Sequence, residues 1–343
     1  IRDSPTHDAE PALPDPTLLT FTAMKNEGPF VLEWVAWQRL IGVDRIVVLS
    51  NDCDDGTDDI LDQLDRMGVV SHLPNPCELL PSDPGEPMKP QTAAFAYGRR
   101  LREWRDADYI FLSDVDEFPC LRAGDTTFKT LLRRLDYPDV LTFCETIFGT
   151  GDVIGFKDKP LTAQFTKSTS LAPGKWKSRR GFKSICRNDP RLVIRNHRPK
   201  VSRKHAADIR WLDGSGRDFP TDLRTRLQKG TDARGMFDLI TLNHYALRSL
   251  ESYLVKAARG QPMGGTIDHK YFRQRNQLRT DNREMLPHLP RLEEEIAKLK
   301  RDPRLAELHA KSVESHRAQI AKLKKTPLYR DLMALVQGTP LDA

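Results

Sequence analysis

The chain has 343 residues, 38% hydrophobic and 30% charged, with a formal net charge of +6. These totals give one large or two ordinary domains with a real core, and no apolar run approaches the length that crosses a bilayer. Five scattered cysteines (Cys53, Cys77, Cys120, Cys144, Cys186) form no CxxC pair; this argues against a zinc site or disulfide scaffold and, with no signal-like apolar start, points to a reducing cytoplasm.

Residues 1–16 hold four prolines and few apolar groups, and read as a disordered lead-in. Leu18–Met24 reads as a buried strand. Pro29 suits a first helical turn, and Phe30, Val31, Trp34, Trp37 and Ile41 recur at helical spacing until Gly42. Arg45–Ser50 is a second strand, and Thr57 caps a helix that stops at Gly68. Val69–Leu73 is a third strand, Pro90–Arg105 a helix and Tyr109–Ser113 a fourth strand. A helix with Phe128, Leu131, Leu132 and Leu135 then leads to a strand at Val140–Phe143. This alternation predicts an α/β fold, with a parallel sheet covered by helices on both faces.

The rhythm breaks near residue 145. Gly149, Gly151 and Gly155 and a basic segment, Lys175–Lys204, predict loops and short antiparallel strands. That segment carries twelve Lys/Arg against one acid, Asp189. It suits phosphates or an anionic membrane surface, and a solvated face is the plain alternative. Its only interleaved aromatics are Trp176 and Phe182, which argues against nucleic acid. Leu250–Ala258 reads as a helix, and from Leu292 onward short amphipathic helices are separated by Pro303 and Pro327. The tail from Asp268 is mildly basic, with 16 Lys/Arg against 11 Asp/Glu. It suits packing on the rest of the chain, or peripheral membrane contact.

In parallel sheets ligands bind beyond the carboxyl ends of the strands. Three polar clusters fall on that rim: Lys25-Asn26-Glu27, Asn51–Gly56 and Asp114-Val115-Asp116-Glu117. Three carboxylates in four positions repel unless a cation sits among them. Asp52/Asp54 and Asp106/Asp108 repeat the Asp-x-Asp spacing, so spacing alone is weak. Asp114 and Asp116 follow an apolar strand, where a hard divalent cation would bridge them to substrate phosphates. A solvated strand end is the alternative.

Several stretches in this order resemble glycosyltransferases of the family 2 type, and more closely the branch related to glycosyltransferase family 92. They are Met24–Glu27, Glu33–Trp37, Gly42–Leu49, Asn51–Gly56, Ser113–Phe118, Phe148–Gly151, Lys183–Arg187, His197–Pro199, Asn243–Tyr253, Lys256 and Arg259-Gly260. The resemblance spans roughly residues 17–265. It implies a GT-A, Rossmann-like fold, with a donor half at 17–145, an acceptor half at 146–265 and a basic helical extension at 266–343.

It further implies a metal-dependent enzyme of the hexosyltransferase type. A sugar would move, with inversion, from a nucleotide-diphosphate donor such as a UDP-sugar to a glycan or lipid-linked acceptor, in polysaccharide synthesis at the inner membrane face. Mn²⁺ or Mg²⁺ would be held by Asp116, with Asp114 and His244 as further ligands. Asn26, Glu27, Asp52, Asp54, Asp114, Lys183, Lys256 and Arg259 would surround the donor. Glu145 and Asp152 are the candidates for the base that deprotonates the acceptor hydroxyl. Trp176, Trp211 and the Asp213–Gly216 loop are candidate acceptor contacts, with core packing the equal alternative for the tryptophans. Two other readings remain, a nucleotidyltransferase and a non-catalytic binder of anionic polymers. The Lys25-Asn26-Glu27 loop lacks the glycine-rich basic character expected of the former.

Overall fold

The computed structural model describes residues 15–79, 81–83, 86–171, 179–225, 230–232, 235–260 and 269–336. The expectations for residues 1–14 and for Trp176 lie outside the described residues.

Four strands begin the fold: β1 (Leu18–Met24), β2 (Arg45–Ser50), β3 (Ser71–Pro74) and β4 (Tyr109–Leu112). They pair in parallel in the order β3-β2-β1-β4. Connecting them are α1 (Gly28–Leu40), α2 (Thr57–Arg66) and α3 (Pro90–Gly98). Alternate residues of each strand enter different cores. Ile46, Val48, Tyr109 and Phe111 pack on one face, and Val47, Leu49, Ile110 and Leu112 on the other. This two-sided burial explains why these strands read as continuous apolar runs.

The helix expected over Pro90–Arg105 is divided. It ends at Gly98, where a Cβ would come within 2.5 Å of the Phe21 ring. A single turn, Arg102–Arg105, follows. Close packing of the helix on β1 therefore takes a glycine, and a glycine favours the break.

Beyond β4 the sheet is mixed, in line with the antiparallel strands expected after residue 145. The later strands are β5 (Glu117–Leu121), β6 (Val140–Ile147), β7 (Arg179–Arg187), β8 (Trp211–Asp213), β9 (Gly230–Asp232) and β10 (Ile240–His244). The sheet continues from β4 as β7-β6-β10-β5, with β8 beside β6 and β9 beside β7. β7 is antiparallel to both β4 and β6. β10 runs parallel to β6 and antiparallel to β5. β5, absent from the sequence reading, contains Pro119; it lies at the sheet edge, where a missing N–H is tolerated.

β7 comes out of the basic segment, and its neighbours use much of that charge internally. Arg187 meets Asp139 at 3.2 Å, Arg191 meets Asp189 at 2.7 Å, and buried Arg198 donates to the Leu223 carbonyl. Arg195, Lys200, Arg203 and Lys204 are exposed.

The remaining helices longer than a single turn are α4 (Phe128–Arg134), α5 (Leu250–Arg259), α6 (His269–Arg275), α7 (Leu289–Leu299), α8 (Pro303–Leu323) and α9 (Pro327–Val336). α7 and α8 pack on α1, and α8 also on α2 and α5. Leu292, Leu299, Leu305 and Leu308 thereby join the main core. α1 is covered on both sides, which is why every residue from Gly28 to Gln38 is buried. None of the described helices is long and apolar enough to cross a membrane.

Candidate active site at the sheet rim

Parallel pairing brings the ends of β1 and β2 together, and their loops lock. Asn26 Nδ2 donates to Asp54 Oδ1 at 2.6 Å, and the Asp54 N–H returns a bond to Asn26 Oδ1 at 2.8 Å. Asn26 and Asp52 both have left-handed backbones, φ 52° and 49°, which Asn and Asp tolerate better than most residues. Asp52 is exposed and pairs with Lys25 at 3.2 Å.

The acidic turn after β4 is divided between two lysines. Asp114 and Glu117 share Lys183, each at 3.0 Å, and Lys183 also donates to Asn196 Oδ1 at 2.6 Å. Lys183 is almost fully buried because β7 runs antiparallel beside β4, setting Ile185 opposite Phe111 and aiming Lys183 past the strand end. Burial pushes the Glu117 carboxyl up, against the pull of Lys183. Gln91 reaches Asp114 Oδ1 at 3.5 Å.

Asp116 turns the other way. Its Oδ2 lies 2.6 Å from Lys256 Nζ, and its Oδ1 lies 3.6 Å from His244 Nε2. Burial alone would raise this carboxyl, but Lys256 and His244 hold it well below the usual carboxylate range. His244 arrives by register: it ends β10, opposite Glu117 of β5 and level with Ile147 of β6. Its Nδ1 lies 3.0 Å from Glu145 Oε2. Burial would lower the imidazole, but its carboxylate partners raise it to about 10.

Glu145 also takes hydrogen bonds from Arg275 at 2.9 Å and from the Gly181 N–H at 3.0 Å. Burial works to raise this carboxyl, yet His244 and Arg275 hold it far below its ordinary value. Such a group is a weak proton acceptor. Beneath Asp116, Glu27 pairs with Arg248 at 2.7 Å and Arg259 at 2.8 Å. Arg259 also donates to the Lys25 and Asn26 carbonyls, tying α5 to the β1 loop.

One network thus gathers Glu27, Asp114, Asp116, Glu145, Lys183, His244, Lys256 and Arg259. Asn26, Asp52 and Asp54 lie on the adjoining loops. Asp152 sits exposed on a left-handed turn, φ 62°, and no described hydrogen bond joins it to this network. Trp211 is corrected as an acceptor contact: it is fully buried, stacked on Phe219, with its indole N–H on Thr142. The Asp213–Gly216 loop closes on itself, Asp213 Oδ1 accepting from the Ser215 and Arg217 N–H groups.

Arg248, Asn196, Gln91 and Arg275 are network members that the sequence reading did not single out. Arg248 lies inside a quoted stretch, four residues after His244, and that was its only signal. The other three depend on strand order.

The donor chemistry suits a divalent cation in part. Asp116 Oδ1 and His244 Nε2 face each other, with Glu145 fixing the ring from its far side, as carboxylates commonly do for metal-bound histidines. Asp114 is turned to Lys183. Among the described residues no group of three or more His, Cys, Asp or Glu is arranged to hold a metal ion. Two protein donors are what Mg²⁺ or Mn²⁺ use when phosphate oxygens complete the shell.

A family model described as glycosyltransferase family 92 matches residues 24–213. A glycosyltransferase family 92 protein of Oryza sativa subsp. japonica is 28% identical over 151 residues, covering 42% of this chain and 24% of that protein. One from Ricinus communis is 26% identical over 162 residues, covering 43% and 26%. The chain therefore matches about a quarter of the length of these relatives. Among solved structures, S. aureus TarS 1–349 matches at 12% identity and a TM-score of 0.32, over 95% of this chain and 93% of that one. The same fragment in complex with UDP matches at 0.31. At such scores the likeness carries no argument.

Proposed function

The chain belongs to glycosyltransferase family 92, and from that membership we propose that it transfers a sugar from a nucleotide-diphosphate donor to a glycan or lipid-linked acceptor. The observation that carries the reading is the convergence of Asp116, His244 and Lys256 at the rim where the parallel strands end. Asp116 and His244 would hold Mn²⁺ or Mg²⁺, which would neutralise charge on the departing diphosphate. Lys256 supplies a second positive charge beside the same carboxylate, and Asp114 with Lys183 borders the donor. Asn26, Asp52 and Asp54 form the loops at the nucleoside end.

Glu145 is better suited to orient His244 than to take a proton, because three donors already hold it. Asp152 is exposed and is the carboxylate available to an acceptor hydroxyl in an inverting transfer. Internal pairing of Lys183, Arg187 and Arg191 lowers the charge left for a non-catalytic polyanion binder. A uridine donor and a site at the inner membrane face stay part of the proposal.

Calorimetric titration of UDP and GDP into wild type and Asp116→Asn, with and without Mn²⁺, tests it. One nucleotide should bind only with metal, and D116N should lose that binding by at least about tenfold. Metal-independent binding that D116N leaves unchanged would remove the donor-site assignment.

A further inference from the structure

The proposed network leaves unused a buried hydrogen-bonded chain at the end of β2. Ser50, the last residue of that strand, is buried. Its Oγ donates to Asp58 Oδ1 on α2 and lies 2.7 Å from His72 Nε2 on β3. His72 Nδ1 lies 2.7 Å from Asp62 Oδ1 on α2. The His72 side chain is 8% exposed and Asp62 53% exposed.

The protons in this chain can be counted. A carboxylate only accepts, so the single Ser50 hydroxyl proton goes to Asp58. The Ser50 oxygen must then accept, and His72 Nε2 must donate to it. Asp62 also only accepts, so Nδ1 must donate as well. Every contact is satisfied when both ring nitrogens donate. Asp65, also on α2, accepts the His72 main-chain N–H at 3.2 Å. The charged groups facing His72 are thus Asp58, Asp62 and Asp65, all from α2, while β2 supplies only Ser50. Among the described residues no lysine or arginine pairs with these three carboxylates.

We propose that His72 is a positioning residue for the nucleotide donor, clamping α2 and β3 together across the end of β2. The loop that starts at Asn51 hangs directly from this clamp. Asn75, just past β3, extends it: its N–H donates to the Ser50 carbonyl at 2.7 Å and its side chain reaches Asn51 Oδ1 at 3.2 Å. When the His72 ring is removed, both links are lost. The loop bearing Asp52 and Asp54 then loses an anchor, without any change at Asp116 or His244. This inference rests on the donor-site reading above.

The test measures UDP affinity with Mn²⁺ and the thermal midpoint in wild type, His72→Gln and His72→Ala. UDP affinity should fall about threefold to tenfold in H72A, and H72Q, which keeps an amide donor, should recover part of it. H72A with wild-type UDP affinity would overturn the proposal. If UDP binds none of the three proteins, the donor-site reading fails and the donor role with it. The thermal midpoint then decides the clamp alone: it stands if H72A melts below wild type with H72Q between them, and falls otherwise.

Discussion

Lys183 shows how a single buried cation can hold an acidic turn together. It is enclosed almost completely, with Asp114 and Glu117 each at 3.0 Å. Removing one partner of a buried ion pair leaves uncompensated charge, which costs about 3–5 kcal/mol. Lys183→Met should therefore lower stability by that order in denaturant unfolding, and adding Glu117→Gln should recover part of the loss. A second residue acts by what it lacks. A Cβ on Gly181 would lie 2.6 Å from Glu145 Oε1, so Gly181→Ala must displace the carboxylate that also holds His244. If His244 holds metal as proposed, disturbing its outer partner should cost about 10–100-fold. Turnover of a donor sugar by G181A should drop by that range, and a G181A enzyme with wild-type turnover would show that the Glu145–His244 contact does not matter. The carboxylates and His244 were legible in the sequence because chemistry of this kind uses those residue types. Their cationic partners were less so, since Arg275 and Arg248 gain meaning only when β10 and the tail are in place.

At the scale of elements, α1 carries an internal charge with a readable pH signature. Glu33 is buried on that helix and accepts from the Leu161 and Thr162 N–H groups and the Thr162 hydroxyl, at 2.6, 3.0 and 2.8 Å. Burial outweighs those bonds and pushes its carboxyl from 4.5 to about 7. The folded chain then holds this proton more tightly than the unfolded chain does. The stabilisation is fully present below the unfolded value and is lost as pH rises through about 7. Between about pH 5 and 8 wild type should lose roughly 3 kcal/mol relative to Glu33→Gln, read as the difference between their stability–pH slopes. Equal slopes would mean that the three donors keep Glu33 ionised throughout. The strands flanking this helix were readable from sequence, β1 and β2 to the residue, because both faces are buried and the runs are apolar. β5 was not readable: it is short, contains a proline and opens with Glu117, a carboxyl held by Lys183 and the Asp114 N–H. β7 was read as loop and short strand because basic residues mask its apolar positions, Phe182, Ile185 and Cys186.

Across the whole molecule, the tail is part of the core and of the site. Leu305 and Leu292 are fully buried, Glu295 pairs with Arg39 at 2.6 Å, and a Cβ on Gly28 would strike the Ser312 side chain. α8 therefore backs the helix whose first residues follow Asn26 and Glu27. From the other end of the tail, Arg275 reaches Glu145, and Asn276 Oδ1 accepts from the Thr150 N–H at 3.0 Å. The sequence showed the apolar stripes of these helices but not what they cover, because a stripe of leucines fits a membrane, a partner or the chain's own surface equally well. Burial of Leu292, Leu299, Leu305 and Leu308 against α1 answers that for these residues. Leu305→Ala should cost about 2–5 kcal/mol, as a buried leucine truncation does. Ending the chain at residue 288 should expose the apolar surface of α1 that α7 and α8 cover. The truncated protein should then aggregate or lose its cooperative thermal transition. A soluble, cooperatively folding fragment of residues 15–288 would show instead that α7 and α8 are an appended unit, and that the rim holds its geometry without them.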